Sequence, residues 1–270
     1  MKRKINSRII IGLISLSIIL LIALFSPWIR PYNPLEMDLS RLLEPPSLKH
    51  PFGLDENGLD LLSQVLHGAR ISLLVAFTVV SISLVLGLII GSISAWYGEL
   101  LDQILMRVVD MMSAFPRFLL ALAILAMLGS SVFNLILAMC VSGWAGFARL
   151  VRAEVLHLKK EEYILSALSY GSPPARILTL HIWPNLLGIL LVQAAFSLVA
   201  VVIAEAGLSF LGLGVPPELP SWGRLLNSGR QVLGEAPHLS FFPGLMLFLL
   251  VLSFQLCGDG LRDFFDPTTK

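Results

Sequence analysis

The stretch ISLLVAFTVVSISLVLGLIIGSISAWYG, Ile71 to Gly98, carries no charged residue over 28 positions. A helix needs roughly 20 apolar residues to cross the ~30 Å hydrocarbon core of a bilayer, so this stretch reads as a membrane span. Ile9 to Ile29, Asn185 to Ala204 and Leu239 to Gly258 read the same way. A further uncharged run, Phe118 to Ala148, is 31 residues long. As one helix it would reach about 46 Å at 1.5 Å per residue. Gly129-Ser130-Ser131 and Asn134 interrupt it, so two helices joined by a tight turn are expected, each running into flanking sequence. The fold class is therefore an all-α integral membrane protein with six transmembrane helices. Composition agrees: 56% of the 270 residues are hydrophobic and 14% are charged, against about 25% charged in a soluble domain. The mean hydropathy is +0.83. These values exclude a soluble enzyme and a disordered chain, and the net charge of +1 gives no signature of a nucleic-acid partner.

The basic start Lys2-Arg3-Lys4 before the first apolar run resembles a signal peptide, but Phe25-Ser26-Pro27-Trp28 lacks a small-x-small cleavage pattern. A retained helix is the better reading. Orientation follows from the Lys and Arg balance. With the N-terminus inside, 13 cations fall on one side, among them Arg107, Arg117, Arg149, Arg152, Lys159, Lys160 and Arg176, and 6 on the other. Both termini of this multi-pass chain are therefore expected in the cytoplasm. The chain divides into a cytoplasmic stub with the first span (1–30), an extracytoplasmic segment (31–70), a core (71–258) and a cytoplasmic tail (259–270). The core includes a cytoplasmic loop (149–184) and an outer loop (208–238).

The spans hold almost no chemistry. Ionisable residues within membranes mark proton relays and ion paths, and here only Glu205 stands at a helix end. No span carries a His, which removes a zinc site of the HExxH type and the base for a serine nucleophile. Cys140 and Cys257 lie in apolar runs and read as packing residues. The dipeptide Gly-Lys never occurs, so there is no phosphate-binding GxxxxGK[ST] loop. No cofactor or metal is implied, and any ATP that drives the protein is bound by another subunit. Gly87 and Gly91 form a GxxxG pair, which suits internal helix packing or a subunit interface.

The cytoplasmic loop is the informative part. Glu161 to Gly171 reads as a helix that stops at glycine. Ser172-Pro173-Pro174 then forces a turn. Ala175 to Trp183 reads as a second short amphipathic helix ending at Pro184-Asn185. Such a projection suits docking into a cleft on a cytosolic partner. Ala167, Gly171 and Pro184, thirteen residues further on, resemble the EAA loop of ABC importer permeases. Leu165, Ser166 and Trp183 depart from that pattern, where Glu, Ala and Leu are usual.

Other segments narrow the resemblance. Pro45-Pro46-Ser47, His50-Pro51-Phe52-Gly53, Asp55 to Ser63 and Gly68-Ala69-Arg70-Ile71-Ser72-Leu73 resemble an HPFGTDxxGRDxxS…GxRxSL run, with Leu54 and Leu59 standing for Thr and Arg. Asp102 to Asp110, Phe115-Pro116, Trp144 with Ala148 to Arg152, Gly207 to Gly214, Ser221-Trp222-Gly223, Gly258 to Asp263 and Asp266-Pro267 follow in order. Across nearly the whole chain these are similar to the C-type permease of dipeptide, oligopeptide and nickel ABC importers. The resemblance implies a type I importer permease fold and no enzymatic activity of its own. It also implies a second homologous permease, two ATP-binding subunits, an extracytoplasmic substrate-binding protein, and a peptide or, alternatively, a nickel chelate as cargo. A passive channel or scaffold is the reading from another class.

The residues expected to couple the loop to the ATPase are Glu162, Ala167, Gly171, Arg176, His181 and Pro184. Glu205 would either line the translocation path and meet a peptide amine, or make a structural hydrogen bond to loop backbone. Arg149 and Arg152 would snorkel to lipid headgroups. Asp55 and Asp60 suit a folded outer lip, or a calcium or substrate site. The tail from Asp259 to Pro267 would cap the last helix or touch the ATPase.

Overall fold

The computed structural model describes residues 7–265. Among these, helices account for all extended elements: α1 Ser7–Ile29, α2 Leu61–Tyr97, α3 Glu99–Ala114, α4 Arg117–Leu128, α5 Val132–Leu158, α6 Glu162–Ser169, α7 Pro174–Ile177, α8 Trp183–Phe210, α9 Trp222–Gln231 and α10 His238–Phe265. Five stretches are long and apolar enough to cross a membrane, and the bent α3–α4 pair makes a sixth.

Helix α2 is the central rod. Its 37 residues extend about 55 Å at 1.5 Å per residue, beyond the ~30 Å hydrocarbon core. It packs most extensively on α5 and also meets α1, α3 and α8, while α10 packs against α1, α8 and α9. Lipid is as apolar as leucine, so helices in a membrane associate through close van der Waals fit at small residues. Gly87 and Gly91 serve this fit inside the chain. A Cβ on Gly87 would lie 2.3 Å from Phe147 Cβ, and one on Gly91 would lie 2.4 Å from the Ala148 carbonyl oxygen. The GxxxG pair is therefore the α2–α5 contact. Opposite it, α1 and α10 expose Ile11, Ile14, Leu21, Phe241 and Phe248, an apolar face suited to lipid.

The ends of the bundle differ. Residues 30–60, the turn at 129–131 and residues 211–237 lie at one end, the upper; Gly98 and residues 159–182 lie at the other, the lower. At the upper end Ser131 caps α5 by accepting from the Asn134 amide, and the long uncharged run breaks there as expected. The span before the break is not straight: α3 and α4 meet at Phe115-Pro116 at 82°. Pro116 lacks the N–H needed to continue α3.

Three expectations need correction. Ala175 to Trp183 is not a separate short helix. A single turn at α7 leads into a wide turn over Leu178–Ile182 with π-type hydrogen bonding, and α8 runs on to Phe210. Pro184 cannot donate to a carbonyl below it; the wide turn absorbs that defect, and Asn185 Nδ2 donates to the His181 carbonyl at 2.6 Å. Arg149 and Arg152 are held by carboxylates of α3 rather than left unpartnered to snorkel. Arg152 forms a two-pronged pair with Asp102 (2.5 and 2.6 Å), and Arg149 donates to Asp110 at 3.0 Å. Finally, α10 continues through Asp259 to Phe265, so that part of the tail is helix; Asp266-Pro267 lies outside the described residues.

Candidate functional site: the lower loop and the polar nodes of the bundle

The loop closes with a defined helix end. The Ser172 amide donates to the Ala167 carbonyl (3.1 Å) and the Gly171 amide to the Leu168 carbonyl (2.9 Å). This six-to-one and five-to-two pair is a Schellman motif, whose turn residue adopts the left-handed conformation. Gly171 has φ +74°. The spacing from Ala167 to Gly171 is thus set by one hydrogen-bonded turn, with Ala167 giving its carbonyl and Gly171 its conformational freedom.

The roots of the loop are fixed while its tip is bare. Lys159 Nζ donates to the Trp96 carbonyl at 2.7 Å and sits 5.2 Å from the Trp96 ring centroid. Trp183 Nε1 donates to Ser92 Oγ at 3.0 Å. Ile164, Ile177 and Ile182 are fully buried beneath the loop. The outer surface carries Tyr163, Leu165, Leu168 and Tyr170, the last 90% exposed. Glu162, Arg176, His181 and Pro184 are exposed on the same projection, whereas Ala167 is half-buried against the core. The six expected residues therefore share one projection but not one role. Lys159 and Trp183, which fasten it, were not singled out from sequence; Trp183 was visible only as a departure from the usual Leu.

Glu205 lies elsewhere. It is 0% exposed and accepts from Ser72 Oγ and Ser209 Oγ, each at 2.9 Å. Ser209 Oγ in turn accepts from the Val215 amide. The carboxyl group ties α2, α8 and the turn after α8 together through hydroxyls, and it meets loop backbone only by way of Ser209 and the Val215 amide. The serines were legible as residues, but nothing local in the sequence pairs position 72 with 205.

The upper segment is similarly self-contained. Asp55 Oδ1 accepts from the Asn57 and Leu59 amides (2.9 Å each), and its Oδ2 accepts from Gln64 Nε2 (2.8 Å). Asp60 caps α2 by accepting from the Ser63 amide and hydroxyl (2.8 and 2.7 Å) and pairs with His50 Nδ1 at 2.9 Å. Phe52 stacks on Phe242 of α10 at 3.8 Å between centroids. The two aspartates hold separate turns rather than converging on a common point, and no group of three metal-ligating side chains occurs among the described residues.

Residues 83–270 match the family of binding-protein-dependent transport system inner membrane components. Residues 4–46 match the N-terminal transmembrane domain of oligopeptide transport permease C. The dipeptide transport system permease of Alkalihalophilus pseudofirmus is 40% identical over 98% of this chain and 87% of its own length. The oligopeptide transport permease of Bacillus subtilis is 37% identical with the same coverage, and the glutathione transport permease of Escherichia coli is 41% identical over 94% of this chain and 84% of its own. A chain of the methionine ABC transporter MetNI, solved in inward-facing conformations, shares the fold with a TM-score of 0.61 at 19% identity, over 76% of this chain and 98% of that one. Six apolar spans, the glycine-closed loop and near full-length identity to permeases converge: the chain belongs to the binding-protein-dependent transport inner membrane components, as an ABC importer permease of the peptide-transport group.

Proposed function

We propose that this chain forms half of the translocation path of an ATP-driven importer for di- or oligopeptides. It works with a second homologous permease, two ATP-binding subunits and an extracytoplasmic binding protein. The observation that carries this reading is the lower loop, with fastened roots and an exposed tip of Tyr163, Leu165, Leu168 and Tyr170. Apolar side chains left bare at a rigid, polar-rimmed tip suit a partner's pocket. Relatives named for dipeptides, oligopeptides and glutathione support the peptide class. The excess of cations at the lower end supports placing that end, and both termini, in the cytoplasm.

In this mechanism ATP-driven closure of the partner subunits displaces the loop. Because packed helices have discrete arrangements rather than a continuum, the displacement switches the path between outward and inward access. The test is reconstitution of the four membrane subunits in liposomes with the binding protein. Gly171→Asp should insert normally yet lose uptake, and ATP hydrolysis should no longer respond to loaded binding protein. Wild-type uptake by this variant would remove the loop from the coupling role. Cysteines at Tyr170 and Lys49 should be labelled from opposite faces of the membrane; the same face for both would overturn the orientation.

A further inference from the structure

A cavity of about 240 Å³ lies between α2, α4, α5 and α8. It is smaller than the ~300–1,000 Å³ pockets that enclose a drug-sized ligand, and so has room for one end of an extended solute. Its walls are mostly apolar, with Met139 and Val201 among them; its polar side chains are Ser83, Ser142, Ser197 and Arg117. The lining holds one cation and no acid.

Arg117 is in an unusual position. It is the first residue of α4, whose N-terminus has no side-chain cap. The positive end of the helix dipole and the guanidinium thus add at one point. Gly146, beside it, sits halfway along α5. A Cβ there would lie 3.0 Å from Arg117 Nη2, so the missing side chain leaves the guanidinium its seat. The neighbouring cations Arg149 and Arg152 are matched by Asp110 and Asp102; among the described residues no ion-pair partner meets Arg117. The charge balance expects Arg117 at the lower face, but in the fold this exposed residue's guanidinium lies level with Gly146, halfway along α5; a cation at that level facing lipid is costly, which places this one toward a water-filled path or a polar solute.

The second observation is independent. Ser83 is 2% exposed, its hydroxyl is buried without a hydrogen-bond partner, and it lines the same cavity; its polar neighbour is the weakly bonding Cys140 thiol. Gly143 makes room for it, since a Cβ there would lie 2.4 Å from Ser83 Oγ. Two glycines on α5 therefore seat an unmatched cation and an unsatisfied hydroxyl in one apolar cavity. Guanidinium plus hydroxyl is a donor set for a carboxylate.

We propose that Arg117, with Ser83, receives the terminal carboxylate of the transported solute partway across the membrane. This rests on the importer reading above. The test uses the complete complex in liposomes, with trialanine and its C-terminal amide as probes. Arg117→Gln should assemble normally but lower trialanine uptake about tenfold or more, the scale of one lost charge-assisted hydrogen bond. Arg117→Lys should recover most of that loss, and uptake of the amide should not depend on residue 117. Equal trialanine uptake by wild type and Arg117→Gln would overturn the inference while leaving the importer reading intact. A loss seen only in vesicles containing phosphatidylglycerol, and absent in phosphatidylcholine, would also overturn it, assigning the cation to a lipid phosphate. Wild-type complex that carries neither probe nor any other small peptide would instead sink the peptide-importer reading, and this inference with it.

Discussion

The upper segment, residues 31–60, and the lower loop, residues 159–182, are both irregular projections from the same bundle, yet they use their side chains in opposite ways. The upper segment turns its polar groups on itself: Asp55, Asp60, His50, Arg41 and Glu44 all bond within or beside it. The lower loop makes few side-chain bonds beyond its two roots and leaves Tyr163, Leu165, Leu168 and Tyr170 exposed. Polar satisfaction gives a segment one fixed shape of its own. Bare apolar surface on a fixed base gives it a use for a partner. Charge at the top thus reads as architecture, and plain-looking apolar residues at the bottom as the contact.

This contrast can be broken most directly at Asp60. Asp60→Ala removes the α2 cap, worth about 1 kcal/mol, and strands the buried His50 and Ser63 groups, at about 1–3 kcal/mol each. Thermal unfolding of the purified chain in detergent should show a total loss of about 3–7 kcal/mol. A change under 1 kcal/mol would mean that the upper segment is not the self-supporting unit its bonds suggest.

Two glycines then sharpen it, because they share a backbone conformation and differ in surroundings. Gly58 has φ +71° and Gly171 φ +74°. A Cβ on Gly58 would lie 2.0 Å from the Asp38 carbonyl oxygen, whereas one on Gly171 meets nothing within 4 Å. Gly58→Ala should therefore cost the left-handed strain of roughly 1–2 kcal/mol plus a backbone displacement. Gly171→Ala should cost that strain alone, roughly 1–2 kcal/mol. The two unfolding shifts should differ clearly; equal shifts would contradict the description of the lower loop as open.

The smallest effect belongs to the exposed upper pair. The Arg41 guanidinium beside Glu44 holds its carboxyl below the usual carboxylate range. Because the folded value is the lower one, the stabilisation is present above the unfolded value and is lost as pH falls through the folded value. Glu44→Gln should leave the Tm at pH 7 almost unchanged, since an exposed pair is strongly screened. Any difference from wild type should vanish in acid; a difference that grows on acidification would reverse the assignment.

Much of the fold is legible because lipid imposes a simple rule on sequence. Uninterrupted apolar runs gave α1, α2 and α10, and Gly129-Ser130-Ser131 marked the break before α5. What escaped is what depends on distant partners. Asp102, Arg107 and Asp110 make α3 look too polar to belong to a span; its place beside α5 depends on Arg149 and Arg152, some 40–50 residues away. Pro184 looks like a terminator, and only the wide turn before it lets α8 carry on. In the loop, the Ala167 and Gly171 spacing is readable because a Schellman turn is local. The anchoring of Lys159 and Trp183 is not, because Trp96 and Ser92 lie far back in the chain.

Those two anchors have a mechanical consequence. Ser92 and Trp96 are one turn apart on α2, so both legs of the loop stand on the same short length of one beam. A load applied at Tyr170 is divided between two footings about 6 Å apart along that beam, and a sideways push there becomes a torque on α2 rather than a wedge driven between α5 and α8. The longest rod in the molecule, gripped at its base, reaches the upper segment through Asp60 at its far end.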